Sequence, residues 1–169
     1  ATGRPYAPFV YYGDKDATDV VIAMGSVIET AQQTVDHLIA QGKKVGLLSV
    51  HLYRPFSAEY FFNAIPKTAK RISVLDRTIE PGASGDPLYL DVKSVYYGKE
   101  NQPLILGGRY GLSSKDTTPA MILSVYENMA GEQKDQFTVG INDDVTFTSL
   151  KFESNNDITD KDSTELLFF

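Results

Sequence analysis

Four short apolar runs, each followed by a stretch with helical spacing, constrain this chain more than any other feature. They are residues 19–24 (DVVIAM), 44–50 (KVGLLSV), 71–75 (RISVL) and 103–106 (PLIL). Continuous apolarity of this length marks a strand buried on both faces. After the first run, Gly25 and Ser26 turn the chain, and Ser26 with Glu29 forms an S-x-x-E capping box that predicts a helix start. Ile28, Ala31, Val35, Leu38 and Ile39 then recur at helical spacing until Gly42. A short helix is expected after Ser57, stopping near Pro66. Asp86-Pro87 reads as an N-cap followed by a first-turn proline, opening a helix that Gly98 closes. Thr118-Pro119 opens the last helix, with Ile122, Val125, Tyr126 and Met129 on one face. Residues 137–150 alternate and predict a fifth strand with an extension. The sum is an α/β chain in three layers, a mostly parallel sheet of about five strands with helices on both faces and right-handed crossovers. Residues 1–17 read as a linker or lead-in, 18–150 as the domain, and 151–169 as a polar tail leading into a next domain.

Totals narrow the function. A chain of 169 residues can bury one proper core. A net charge of −6 argues against broad binding of nucleic acid or an anionic membrane. Because cysteine is absent, disulfides, thiolate zinc sites and iron–sulfur clusters are excluded within this chain. That composition suits a reducing, cytoplasmic setting. No run approaches a membrane span, and the first residues do not read as a signal peptide. The chain starts on Ala1 and ends on the apolar LLFF of 166–169, which leads to the expectation of a piece cut from a larger polypeptide.

In an open parallel sheet, ligands meet the carboxyl ends of the strands, so the residues that follow each run matter most. These are Ser26, then His51, Tyr53 and Arg54, then Asp76, Arg77 and Glu80, then Gly107, Gly108, Arg109 and Tyr110. Three of the five arginines fall there. A guanidinium fork suits carboxylate or phosphate. Ser26, Arg54, Arg77, Gly107, Gly108, Arg109 and Lys115 therefore mark either a docking rim or an anion-binding edge, with local pairing of Arg77 to Asp76 or Glu80 as the third reading. In GGRYGLSSKD (107–116), Gly107 and Gly108 are expected to permit a tight strand exit and Gly111 a further reversal. Arg109 and Lys115 are expected at the surface as docking residues, so that Arg109→Ala would leave the fold intact.

No complete catalytic set is legible. The first turn lacks the G-x-G-x-x-G fingerprint and a P-loop lysine. The serines lack the G-x-S-x-G elbow. His51 reads as a hydrogen-bonded structural residue rather than a general base, and His37 as a surface or boundary residue of the first helix. Two isolated histidines make a poor metal site, and Asp143-Asp144 reads as a solvated turn.

Several stretches, in this order, nevertheless resemble one family: 21–30 (VIAMGSVIET), 44–57 (KVGLLSVHLYRPFS), 65–91 (IPKTAKRISVLDRTIEPGASGDPLYLD), 103–119 (PLILGGRYGLSSKDTTP) and 137–150. The chain resembles core domain II of pyruvate:ferredoxin (flavodoxin) oxidoreductases, a domain similar to the C-terminal domain of transketolase. The resemblance implies a non-catalytic, interdomain part of an enzyme that converts pyruvate and coenzyme A to acetyl-CoA and carbon dioxide. Electrons would pass to ferredoxin or flavodoxin. It implies thiamine diphosphate and [4Fe-4S] clusters held by other domains, no cofactor in this chain, and partners among those domains and a second subunit. The alternative is a stand-alone α/β module that binds a small phosphorylated ligand.

Overall fold

The computed structural model describes residues 3, 6–153 and 158. The predicted runs become strands at nearly the expected places: β2 Asp19–Ala23, β3 Val45–Val50, β4 Arg71–Asp76 and β5 Leu104–Arg109. Between and after them lie α1 Val27–Ala40, α2 Ala58–Ala64, α3 Pro87–Tyr96 and α4 Pro119–Ala130, then the two-residue β6 Phe137–Thr138. A further strand, β1 Phe9–Gly13, lies inside the stretch read as a lead-in. It pairs antiparallel with β3, while all other neighbours are parallel, in the order β1-β3-β2-β4-β5-β6. Phe9 is buried while Val10 and Tyr12 face outward, as an edge strand requires. The proline- and tyrosine-rich composition of the stretch concealed that alternation. The tail expected over 151–169 falls mostly outside the described residues.

Each central strand feeds two cores. Val21, Ala23, Leu47, Leu75 and Leu106 pack beneath α1 and α4, against Val27, Ala31, Val35, Ile122, Val125 and Met129. Val20, Ile22, Leu48, Ile72 and Val74 pack beneath α2 and α3, against Phe61, Leu88, Val92 and Tyr96. Burial on both faces is why these runs are continuous rather than alternating. Complete burial of a Leu- or Ile-sized side chain contributes about 1.5–3 kcal/mol, so the two layers carry the fold.

The connections do not all share one hand. Over one face, α1 carries the chain from β2 to β3, and α4 carries it from β5 to β6 in the opposite lateral direction. Two parallel connections that cross the same face in opposite directions have opposite hands. The uniform right-handedness expected from the crossover rule therefore fails at the short β6. There α4 packs back on α1 instead of returning over α3.

The carboxyl end of β5 also differs from expectation. Gly107 and Gly108 lie within the strand, paired with Val74 and Leu75, and not at its exit. What they supply is room. A Cβ on Gly108 would lie 2.3 Å from the Phe137 ring and 3.0 Å from a Leu75 methyl. A Cβ on Gly107 would lie 2.8 Å from the Gln136 side-chain amide and 3.0 Å from the Tyr89 ring. Gly111, with φ +63°, does make the reversal expected of it.

Gly108→Ala is expected to destabilise the chain by about 1–3 kcal/mol, the usual range for overpacking. Gly107→Ala should cost less, because its nearest neighbour is the end of a flexible side chain. Urea unfolding of both variants checks the order.

Candidate functional site at the carboxyl edge of the sheet

Strand order reverses about β2. The chain leaves β2 for β3 on one side and returns through α2 to β4 on the other. The crevice between the carboxyl ends of β2 and β4 is the switch point, where open α/β sheets place ligands. Ser26 follows β2 and Arg77 follows β4, and both line a cavity of about 330 Å³ there. Thr30, Tyr110, Gly111, Lys115 and Asp116 are also among its lining residues. Gly111 leaves space for Arg77, whose Nε would lie 3.0 Å from a Cβ at that position. Tyr110 donates its hydroxyl to the Met24 carbonyl at 2.8 Å, tying the exit of β5 to that of β2. Burial raises its pKa, opposed by the charge of Arg77 and reinforced by that of Asp76.

The capping box does not form. Ser26 sits in the right-handed helical region and its side chain makes no capping bond, so α1 begins without its predicted lock. Thr30 and Ser26 instead face the cavity rim.

The seven residues singled out from the sequence separate into three groups. Ser26, Arg77 and Lys115 come together at the cavity, and Lys115 Nζ also donates to the Gly140 carbonyl at 3.2 Å. Arg54 lies elsewhere. It stacks 4.0 Å over the Tyr53 ring and donates to Asp91 of α3 at 2.6 Å. The Tyr53 hydroxyl donates to the same carboxylate, and its pKa is pushed up to about 12 by burial first and then by Asp91. Gly107, Gly108 and Arg109 form the third group, inside the domain.

Arg109 is not the solvated docking residue that its loop suggested. Its Nε lies 2.6 Å from Asp86 Oδ2, a charge pair off the angle of a hydrogen bond, and the Asp86 side chain is only 4% exposed. Its other terminus donates to the Gln136 amide oxygen at 3.0 Å. Asp86 is thereby turned away from capping α3, and its Oδ1 accepts the Glu80 backbone N–H at 3.1 Å. The cap of α3 comes from another strand: Asp76 accepts from the N–H groups of Leu88 (3.0 Å) and Tyr89 (3.1 Å). Burial raises the Asp76 carboxyl above its ordinary range. The two N–H donors and Arg109 oppose the rise, and Asp86 adds to it. The pairing of Arg77 with Asp76 or Glu80 is not formed among the described residues.

Asp76, Asp86 and Asp135 are the residues whose roles sequence reasoning missed. Asp135 holds the Gly107 N–H at 2.7 Å and receives the Tyr89 hydroxyl at 2.9 Å. The available signal was an acid ending the strand RISVLD, just ahead of a helix.

A wider cleft, about 850 Å³, opens at the opposite edge, lined by His37, Lys44, Tyr126 and Glu127 among others. Its charged pair, Asp19 with Arg71, is mutually satisfied, Arg71 reaching Asp19 Oδ2 at 2.8 Å. Lying at the amino ends of the strands, it is less suited to a ligand than the switch point. His51 is exposed, and its backbone N–H binds the Pro8 carbonyl. His37 is half-buried, 2.8 Å from the Gln41 side-chain amide. The side chain of Asp144 accepts from Thr148 and Ser149 backbone N–H groups, which makes the Asp143-Asp144 turn a folded one. No helix of the described residues is long and apolar enough to cross a membrane, and no group of three or more His, Cys, Asp or Glu among them could hold a metal.

Residues 17–122 match the model of the family described as pyruvate:ferredoxin oxidoreductase core domain II. The chain belongs to that family. As a core domain II chain, it is 59% identical over 158 residues to the pyruvate-flavodoxin oxidoreductase of Enterobacter agglomerans, covering 93% of this chain and 13% of that protein. It is 48% identical over 169 residues to the pyruvate:ferredoxin oxidoreductase of Moorella thermoacetica, covering 99% of this chain and 14% of that protein. This core domain II chain thus spans about one-seventh of the length of such relatives. Among solved structures, it matches the 2-oxoglutarate:ferredoxin oxidoreductase of Magnetococcus marinus, solved with 2-oxoglutarate, coenzyme A and succinyl-CoA bound. The TM-score is 0.50 at 20% identity, over 73% of this chain and 20% of that one. At that identity the likeness is one of fold.

Arg109→Ala is expected to destabilise the chain by about 3 kcal/mol, because it strands the buried Asp86 carboxylate. Arg77→Ala should change stability by less than about 0.5 kcal/mol. Thermal and urea unfolding of the two variants separates an internal arginine from a surface one. Asp76 adds a pH signature. Its folded pKa is raised, so the stability it contributes is full below the unfolded value of about 4 and is lost as pH rises through the folded value. The advantage of the wild-type chain over Asp76→Asn should therefore shrink from acid toward neutral pH. A gap that widens instead would mean that the two N–H donors outweigh burial.

Proposed function

We propose that this chain is a non-catalytic, interdomain part of a thiamine diphosphate- and iron–sulfur-dependent pyruvate:ferredoxin (flavodoxin) oxidoreductase, working in the cytoplasm. The observation that carries the reading is the 59% identity across nearly all of this chain to a small fraction of a pyruvate-flavodoxin oxidoreductase. The whole enzyme would convert pyruvate and coenzyme A to acetyl-CoA and carbon dioxide and reduce ferredoxin or flavodoxin.

The residues of this chain do not fit the iron–sulfur cofactor. A [4Fe-4S] cluster is held by thiolates, and the chain has no cysteine. No chemical step is therefore assigned to this chain. Its part is to position the cofactor-bearing domains and to supply surface to them and to a second subunit. Of the cations singled out in the sequence, Arg77 and Lys115 at the switch point and Arg54 on the opposite face remain exposed for that docking.

A second reading rests on the switch-point cavity, where Arg77, Lys115 and the uncapped start of α1 converge. This arrangement suits a small phosphorylated ligand or another anion. NMR titration of this chain with inorganic phosphate and with coenzyme A tests it. Shifts confined to residues 26–30, 77 and 110–117 would favour the anion site, and none at millimolar ligand would end it.

The full-length gene product is expected to reduce ferredoxin or flavodoxin in a reaction that requires both pyruvate and coenzyme A. Activity with a different 2-oxoacid alone would overturn the substrate assignment. Arg77→Glu in that protein should weaken assembly or turnover by at least about tenfold, the effect of roughly 1.4 kcal/mol at an interface. Unchanged assembly and turnover would remove Arg77 from the docking surface.

A further inference from the structure

The loop that follows β6 carries two apolar side chains in an unusual setting. Val145 is 86% exposed and Phe147 is 81% exposed. Single exposed apolar residues are ordinary, but two on one short loop, held by a fixed frame, are not. The frame is built on Asp144. Its carboxylate accepts the Thr146 hydroxyl at 3.0 Å, the Thr148 N–H at 3.1 Å and the Ser149 N–H at 2.7 Å. The far end of the loop is stitched to the sheet edge, Thr138 N–H to the Thr148 carbonyl at 3.0 Å and Leu150 N–H to the Thr138 carbonyl at 2.8 Å. Leu150 itself is buried in the α1/α4 core.

Phe147 is held at φ +57°, the left-handed region that a bulky residue seldom enters. A loop free to rearrange would relax that backbone and fold the ring onto the protein. This one is braced on both sides of the ring and presents it to solvent. Strained, over-determined positions of this kind gather at binding clamps.

We propose that Val145 and Phe147 form an apolar knob that inserts into an apolar cleft on another domain of the same full-length polypeptide. The occupant follows from the length of chain outside this structure: the relatives that this chain matches almost end to end are about seven times as long. The knob also stands at the β6 edge of the sheet, on a different element from the basic cavity between β2 and β4. It is thus a second contact, apolar where the first is ionic. The inference rests on the reading of the chain as one domain of a larger enzyme and adds to it a surface and the chemistry of its partner.

The test places photoreactive p-benzoyl-L-phenylalanine at position 147 of the full-length enzyme, with the same group at position 145 as a second variant should the first not fold. After illumination, cross-linked peptides are mapped in a mixture of isotopically heavy and light copies. The expected result is a cross-link to apolar residues outside 1–169 within one isotopic copy. A heavy–light cross-link would overturn the choice of partner in favour of a second copy. The absence of protein cross-links in an assembled enzyme would overturn the knob. Failure of the pyruvate assay would leave the cross-link map readable, so the two readings fail separately.

Discussion

The buried knot of Asp76, Asp86 and Arg109 organises the carboxyl edge of the sheet. Asp76 ends β4 and grips the first N–H groups of α3. Asp86 immediately precedes that helix, and Arg109 ends β5 and neutralises Asp86. Two carboxylates and one guanidinium thus fix one helix and two strands at a single point. A buried pair of this kind is not strong evidence of net stability, since desolvation offsets much of the attraction. It is strong evidence of geometry, because any other arrangement leaves a buried charge alone.

That geometry decides which residues remain for function. Arg109 is spent inside the domain, although it belongs to the loop that looks most like a ligand-binding segment. Arg77, one residue beyond the knot, is released outward into the switch-point cavity. The glycines of the same loop are explained by packing. Gly107 lets α3 and the Asp135 segment approach β5, and Gly108 admits the Phe137 ring. The edge that results is fixed, with Arg77 and Lys115 reaching outward into the cavity.

Most of the architecture was legible because it depends on periodicity and punctuation. Apolar runs gave β2 to β5, Asp86-Pro87 and Thr118-Pro119 marked the starts of α3 and α4, and the short helix expected after Ser57 is α2, where the Ser57 hydroxyl accepts the Tyr60 N–H at 3.4 Å. What escaped depends on contacts between distant residues. β1 is an edge strand whose pairing partners lie 33 to 41 residues away in the chain, from Gly13–Gly46 to Phe9–Val50. The hand of the last connection depends on α4 choosing α1 as its neighbour. The S-x-x-E pattern at Ser26 is correct as a sequence and wrong as a capping box, because the backbone there is already helical. The candidate site was legible in place but not in membership. Strand ends located the edge, yet only tertiary structure separates an arginine paired inward from one facing out.

A double-mutant cycle on Asp86→Asn and Arg109→Met, followed by urea unfolding, tests the knot most directly. The account predicts that each single variant is clearly destabilised and that the double variant recovers part of the loss. The coupling should be about 1–3 kcal/mol, the range for residues in one charge network. Additive effects with no coupling would contradict the pairing of Arg109 with Asp86 and place Arg109 in solvent.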